Sequence, residues 1–147
     1  MLIVSCTVVQ NAVTFVTIPF HTVVQNVEIP FQIPSKNEDI PFQIRRVYYI
    51  TQVPAGVERG FHSHRALEQV LICLHGSVKV RVKTPFDEEI IELNNPSKGL
   101  FIGHMIWREM FDFSDDAVLM VLASEHYNES DYIRDYQQYL EEANEYF

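Results

Sequence analysis

A chain of 147 residues, 47% hydrophobic and 21% charged, fits one domain whose core needs no disulfide staples. Its formal charge of −9 argues against wrapping nucleic acid or lying on an anionic membrane. Half of the 20 acids lie beyond residue 111, whereas Arg45, Arg46, Arg59 and Arg65 form a local basic patch suited to a small anionic ligand.

In chain order, residues 1–27 carry no charge, but polar residues and proline interrupt every apolar run and no basic lead-in precedes them. This predicts strand, not a signal or membrane segment. Thr7–Asn11 recurs as Thr22–Asn26, and Ile-Pro-Phe recurs at 18–20, 29–31 and 40–42. Units this short are not solenoid repeats and read as strands punctuated by proline. Ser35–Asp39 reads as a loop. Cys6 and Cys73 have no metal-ligand spacing. Cys73, within Val70–Leu74, is expected as a buried small hydrophobe, in keeping with a reducing cytoplasm. From 43 to 124 the pattern predicts eight strands: Gln43–Gln52, Gly60–His64, Gln69–Leu74, Ser77–Lys83, Glu88–Leu93, Gly99–Ile102, Trp107–Phe113 and Ala117–Ala123. That is an all-β sandwich or barrel. Residues 130–147 are expected to be a helix, with Ser130 as N-cap and Tyr132, Ile133, Tyr136, Tyr139, Leu140 and Ala143 on its apolar face.

The stretch most informative about chemistry is Gly56–Gly76. His62 and His64 are two residues apart, so on a strand both imidazoles project from one face, with Phe61, Ser63 and Arg65 on the other. The other histidines, His21, His75, His104 and His126, stand alone and read as surface or turn residues. The spacing from Gly56 through His62-x-His64 to Gly76 resembles the first cupin motif, and Gly103–Arg108 resembles the second. In metal-binding cupins a glutamate and a further histidine complete the ligand set. Here those positions hold Gln69 and Arg108, a neutral amide and a permanent cation, so no metal is expected.

Five blocks carry a sharper resemblance: Arg46–Ile50, Arg59–His64, Leu67–Leu71, Met120–Ser124 and Asp131–Arg134. Together they resemble the sugar-nucleotide 3,4-ketoisomerases, over about residues 38–140. The resemblance implies a single cupin domain over 1–147, a homodimer that exchanges N-terminal strands within 1–35, and two catalytic histidines, His62 and His64. It implies a dTDP-linked 4-keto-6-deoxy sugar as substrate and migration of its ketone from carbon 4 to carbon 3. Two departures from the family's pattern stand out. The segment near Asn26–Phe31 lacks the usual Arg and Gly, and Trp107-Arg108-Glu109 stands where the family has Trp-His-Glu.

Ketone migration needs removal of the carbon-3 proton, an enediol, and reprotonation at carbon 4. Histidine, with an ordinary pKa near 6.5, suits that acid–base work, and no cofactor is expected. Arg46 and Arg59 are the candidates for the diphosphate, since a guanidinium grips phosphate bidentately. Tyr48, Gln69 and Trp107 are the candidates for sugar or base contacts. The alternatives are a 3,5-epimerase of the same sugars, a non-catalytic sugar-binding cupin, or a metal-dependent dioxygenase, the last disfavoured by Gln69 and Arg108.

Overall fold

The computed structural model describes residues 13–17, as backbone, and residues 40–147. The expectations for Cys6, His21, the loop over 35–39, the proline-punctuated strands before residue 40 and strand exchange within 1–35 lie outside the described residues, apart from one short strand. That strand, β1, spans Val13–Thr17. The others are β2 (Arg46–Thr51), β3 (Arg59–His64), β4 (Gln69–His75), β5 (Val78–Lys83), β6 (Glu88–Leu93), β7 (Lys98–Ile102), β8 (Trp107–Phe111), β9 (Val118–Ala123) and β10 (Tyr132–Ile133). All eight expected strands between 43 and 124 are present, with ends shifted by three residues or fewer.

The strands form two five-stranded antiparallel sheets, ordered β1-β7-β4-β9-β2 and β10-β3-β8-β5-β6. Period-two alternation fills the space between them. Val78, Val80 and Val82 of β5 are fully buried there with Leu71, Leu100, Ile102, Leu119 and Val121, while Lys79, Arg81 and Lys83 lie on the opposite face. Cys73 belongs to this layer, as expected. The outer face of the first sheet carries Val70, Ile72, Phe101, Met120 and Leu122, against which Ile40, Phe42 and Ile44 pack. The C-terminal helix covers the part of the second sheet's outer face formed by β10, β3 and the start of β8.

That helix, α1, spans Tyr136–Tyr146, which corrects the expected start at Ser130. Its N-cap is Asp135, whose carboxylate accepts the Gln138 N–H at 2.8 Å. Ser130 instead lies in a 3-10 turn, Glu129–Asp131, capped by Asn128. Tyr132 and Ile133 mimic helical spacing, but their backbone is committed to antiparallel pairing with His64 and Ser63. Tyr139 and Ala143 bury the inner stripe of α1 against Met105, Trp107 and Ile133. No helix among the described residues is long and apolar enough to cross a membrane.

Candidate active site

A β-bulge in β3 sets the geometry. The register with β8 runs Arg59↔Met110, Gly60↔Glu109, then His62↔Arg108, so Phe61 is the extra residue. Gly60 has φ +96, and a Cβ there would lie 2.7 Å from the Arg108 carbonyl oxygen. Only glycine lets the strands approach so closely. Phe61 is itself left-handed, at φ 54. Strict alternation would separate Arg59 from His62; the bulge puts Arg59, opposite Met110, on the same side as His62, opposite Arg108.

The same bulge orients a side chain. Nδ1–H of His62 donates to the Gly60 carbonyl oxygen at 3.0 Å. A carbonyl only accepts, so Nδ1 carries the proton and Nε2 keeps its lone pair. His64 repeats the arrangement, with Nδ1–H donating to the Asp131 carboxylate at 3.0 Å. The two rings stand edge-on, 4.9 Å apart and inclined at 83°. Tyr132 touches both, its ring centroid 4.2 Å from His64 and 5.0 Å from His62. His62 is half-buried and His64 fully buried, so the pair runs from the mouth inward.

The inner face of the first sheet completes the group. Arg46 and Tyr48 of β2 pair in register with Ala123 and Val121, and Gln69 of β4 pairs with Ala123 and Ile102, which places all three on the inner face. Nε2 of Gln69 donates to the Tyr48 hydroxyl at 3.0 Å. The Arg46 guanidinium lies 5.0 Å from the Tyr48 ring and 5.7 Å from the Tyr127 ring. At the mouth, Arg134 lies over Tyr132 at 4.3 Å and pairs with Glu129 at 2.9 Å.

Arg108 dominates the electrostatics. Its side chain is 1% exposed, and Nε, Nη1 and Nη2 have no hydrogen-bond partner among the described residues. Burial pulls its pKa down to about 10, against the opposing influence of Tyr48, Tyr132 and Tyr139. Burial, then the Arg108 charge, holds His62 down to about 3. The same two causes, with His62 and Arg46 behind them, hold His64 well below the ordinary imidazole range. For His64 this outweighs the Asp131 carboxylate. Both imidazoles are therefore neutral near pH 7, each with an Nε2 lone pair. Burial also raises the Tyr48 phenol, keeping it a hydroxyl donor.

His62, His64, Arg46, Tyr48 and Gln69 thus converge on one region. Arg59 stands at its edge, exposed at the start of β3. Trp107, a candidate for sugar or base contacts, does not join them. Neighbouring strand residues alternate faces, so Trp107 lies opposite Arg108, 3% exposed, packed on Tyr136 and Tyr139. Its Nε1–H donates to Glu109 at 3.0 Å, and Glu109 is held by Arg81 and Lys83. Sequence reasoning did not single out Asp131, Tyr132, Arg134 or Tyr127. The available pointer was the Asp131–Arg134 block, which the helical reading of 130–147 obscured. Two imidazoles, an amide and a guanidinium make a poor ligand set for a divalent cation. No three His, Cys, Asp or Glu side chains converge on a metal position among the described residues.

Several solved structures share this architecture. The chain aligns with the sugar 3,4-ketoisomerase QdtA from Thermoanaerobacterium thermosaccharolyticum, crystallised with TDP, at TM-score 0.82 and 49% identity, covering 95% of this chain and 99% of that one. The TDP-fucose-3,4-ketoisomerase WlaRA from Campylobacter jejuni aligns at TM-score 0.76 and 31% identity, covering 90% and 96% of the two chains. A curated relative, the TDP-4-oxo-6-deoxy-alpha-D-glucose-3,4-oxoisomerase of Aneurinibacillus thermoaerophilus, is 49% identical over 96 residues, 65% of this chain and 69% of that protein. A family model described as "FdtA: WxcM-like, C-terminal" matches residues 17–144. By that match, the two-sheet sandwich with paired histidines on β3 belongs to the FdtA, WxcM-like C-terminal family.

Proposed function

We propose that this chain is a sugar-nucleotide 3,4-ketoisomerase, converting TDP-4-keto-6-deoxyglucose to a TDP-3-keto-6-deoxyhexose without metal or cofactor. The observation that carries the reading is the pair of neutral imidazoles beside a buried, unsatisfied guanidinium. Likeness to QdtA, a variant of which was crystallised with TDP-4-keto-6-deoxyglucose, supports the substrate.

In this reading His62 Nε2, nearer the mouth, takes the proton from carbon 3. The C–H electrons form the carbon 3–carbon 4 double bond, and the carbonyl oxygen at carbon 4 becomes an enediolate. Arg108 meets that developing negative charge with fixed N–H donors in a water-poor pocket, where such donors act most strongly. His64 Nε2 accepts the carbon-3 hydroxyl proton and returns it to the carbon-4 oxygen. The resulting enediolate, with its charge now on the carbon-3 oxygen, ketonises at carbon 3, and protonation of carbon 4 by the His62 imidazolium completes an isomerisation with no net change in atoms or electrons. Substrate charge assists the base. A diphosphate and an enediolate offset the Arg108 and Arg46 charges, which raises the two imidazoles towards their ordinary range.

Arg46, with Arg59 at the edge, is assigned to the diphosphate, and Tyr48 and Gln69 to sugar oxygens. The working form is proposed to be a homodimer, with residues 1–35 contributing to its interface, acting in the cytoplasm; light scattering of a chain lacking residues 1–25 tests the interface. For the activity, TDP-4-keto-6-deoxyglucose is incubated with the protein and followed by NMR. Appearance of a carbon-3 ketone supports the assignment. Inversion at carbons 3 or 5 with the ketone still at carbon 4 would identify an epimerase, and an unchanged sugar would refute both.

A further inference from the structure

Asp131 lies 67 residues beyond His64 in sequence yet holds its ring. Its carboxylate is fully engaged. Oδ1 accepts the Ala66 N–H at 2.8 Å, and Oδ2 accepts both Nδ1–H of His64 at 3.0 Å and the Leu67 N–H at 3.3 Å. The backbone around it is clamped as well. The Arg65 N–H donates to the Asp131 carbonyl at 3.1 Å, and the Arg65 guanidinium donates to the carbonyls of Ser130 and Tyr132. That guanidinium is held in turn by a bidentate pair with Glu142 of α1, at 2.8 and 2.7 Å. A carboxylate so fixed cannot swing away from the imidazole.

We propose, resting on the ketoisomerase reading, that Asp131 is a positioning residue that dictates which nitrogen of His64 carries the proton. A carboxylate offers only acceptors, so it keeps the proton on Nδ1 and leaves Nε2 as a lone pair. Nε2 of His64 is buried without a hydrogen-bond partner among the described residues, in the space shared with Arg108 and Tyr132. In this tautomer it can receive a hydroxyl proton from the substrate; in the other it could only donate. The imidazolium formed on receipt is matched by the Asp131 charge at 3.0 Å, so proton transfer separates no net charge across the ring.

An asparagine at this position makes a specific contrast. Its carbonyl oxygen can keep the shorter Ala66 N–H bond at the expense of the 3.3 Å contact from the Leu67 N–H, which places its NH2 against His64. That NH2 needs an acceptor, so Nδ1 must give up its proton and Nε2 must take it. The test uses the full chain labelled with 15N-histidine, with two-dimensional long-range 1H–15N spectra reading the tautomer of each ring. In the unmodified protein His64 is expected as the Nδ1–H form. In Asp131→Asn it is expected as the Nε2–H form, with kcat lowered about 10²–10⁴-fold and KM changed by less than about threefold. An Nε2–H His64 in the unmodified protein overturns the inference, whether or not the variant folds. So does a folded Asp131→Asn protein that keeps the Nδ1–H tautomer or an unaltered kcat. Because the spectra need no substrate, failure of the ketoisomerase reading shows separately, as absence of ketone migration in the unmodified protein.

Discussion

Replacing Arg108 with methionine keeps a long, unbranched side chain near the start of β8 and removes its charge, which sets stability against activity in one variant. Burial moves the guanidinium from its ordinary 12.5 to about 10. At about 1.4 kcal/mol for each tenfold change in proton affinity, the fold holds the charged form at a cost of about 3 kcal/mol. Methionine carries no such penalty, and replacing a buried charge with a packed apolar side chain commonly stabilises by about 1–4 kcal/mol. Allowing for imperfect repacking against Ile106 and Met110, a net gain of about 2 kcal/mol is expected. For a chain of this size that is a rise of roughly 4–8 °C in Tm, read by circular dichroism at neutral pH. Turnover of TDP-4-keto-6-deoxyglucose should fall about 10²–10³-fold, the usual loss when a donor to a developing oxyanion is removed. A variant that melts lower than the parent, or that turns over normally, would refute the picture of a strained cation kept for its chemistry.

His62→Asn and His64→Asn should each lower kcat about 10²–10⁴-fold while TDP binding, measured by calorimetry, stays within about threefold. Arg46→Ala should do the opposite, weakening TDP binding about tenfold or more with a smaller change in kcat. His62 is held to about 3 when folded and titrates near 6.5 when unfolded, so the unfolded chain binds more protons between those values. Its contribution to stability is therefore complete above about pH 6.5 and is lost as pH falls towards 3. The urea midpoint should drop between pH 7 and pH 4.5, and His62→Asn should flatten that drop; equal slopes in the two proteins would count against a buried neutral His62. Prolonged treatment with EDTA, followed by metal analysis, should leave turnover unchanged, and activity restored only by added zinc, iron or manganese would overturn the metal-free scheme.

The parts of this molecule legible from sequence are those governed by local rules. Alternation such as Val78-Lys79-Val80-Arg81-Val82 fixes a strand and its buried face without knowledge of its neighbours, and His62-x-His64 predicts shared orientation for the same reason. What escaped depends on partners far along the chain. Tyr132 and Ile133 suit a helix by spacing and became a strand because β3 needed an edge partner. Asp131 looks like an ordinary acid in the first turn of a helix, and only the fold sets it against His64. Trp107 invited a ligand role through its size, but its place beside Arg108 in β8 settled which of the two faces the interior. The bulge at Phe61 is invisible to a period-two reading, so the shared side of Arg59 and His62 could not be deduced.

The Arg65–Glu142 pair joins the end of β3 to the last turns of α1, across 77 residues of chain. Contacts so distant in sequence form late, because closing such a loop loses chain entropy before any packing offsets it. A ribosome-bound chain that has already made β3 and β8 still lacks the segment that braces the imidazole of His64. In the proposed scheme the brace on His64 is complete only once Glu142 is available to Arg65, so a copy cut before that residue would carry the sandwich without it.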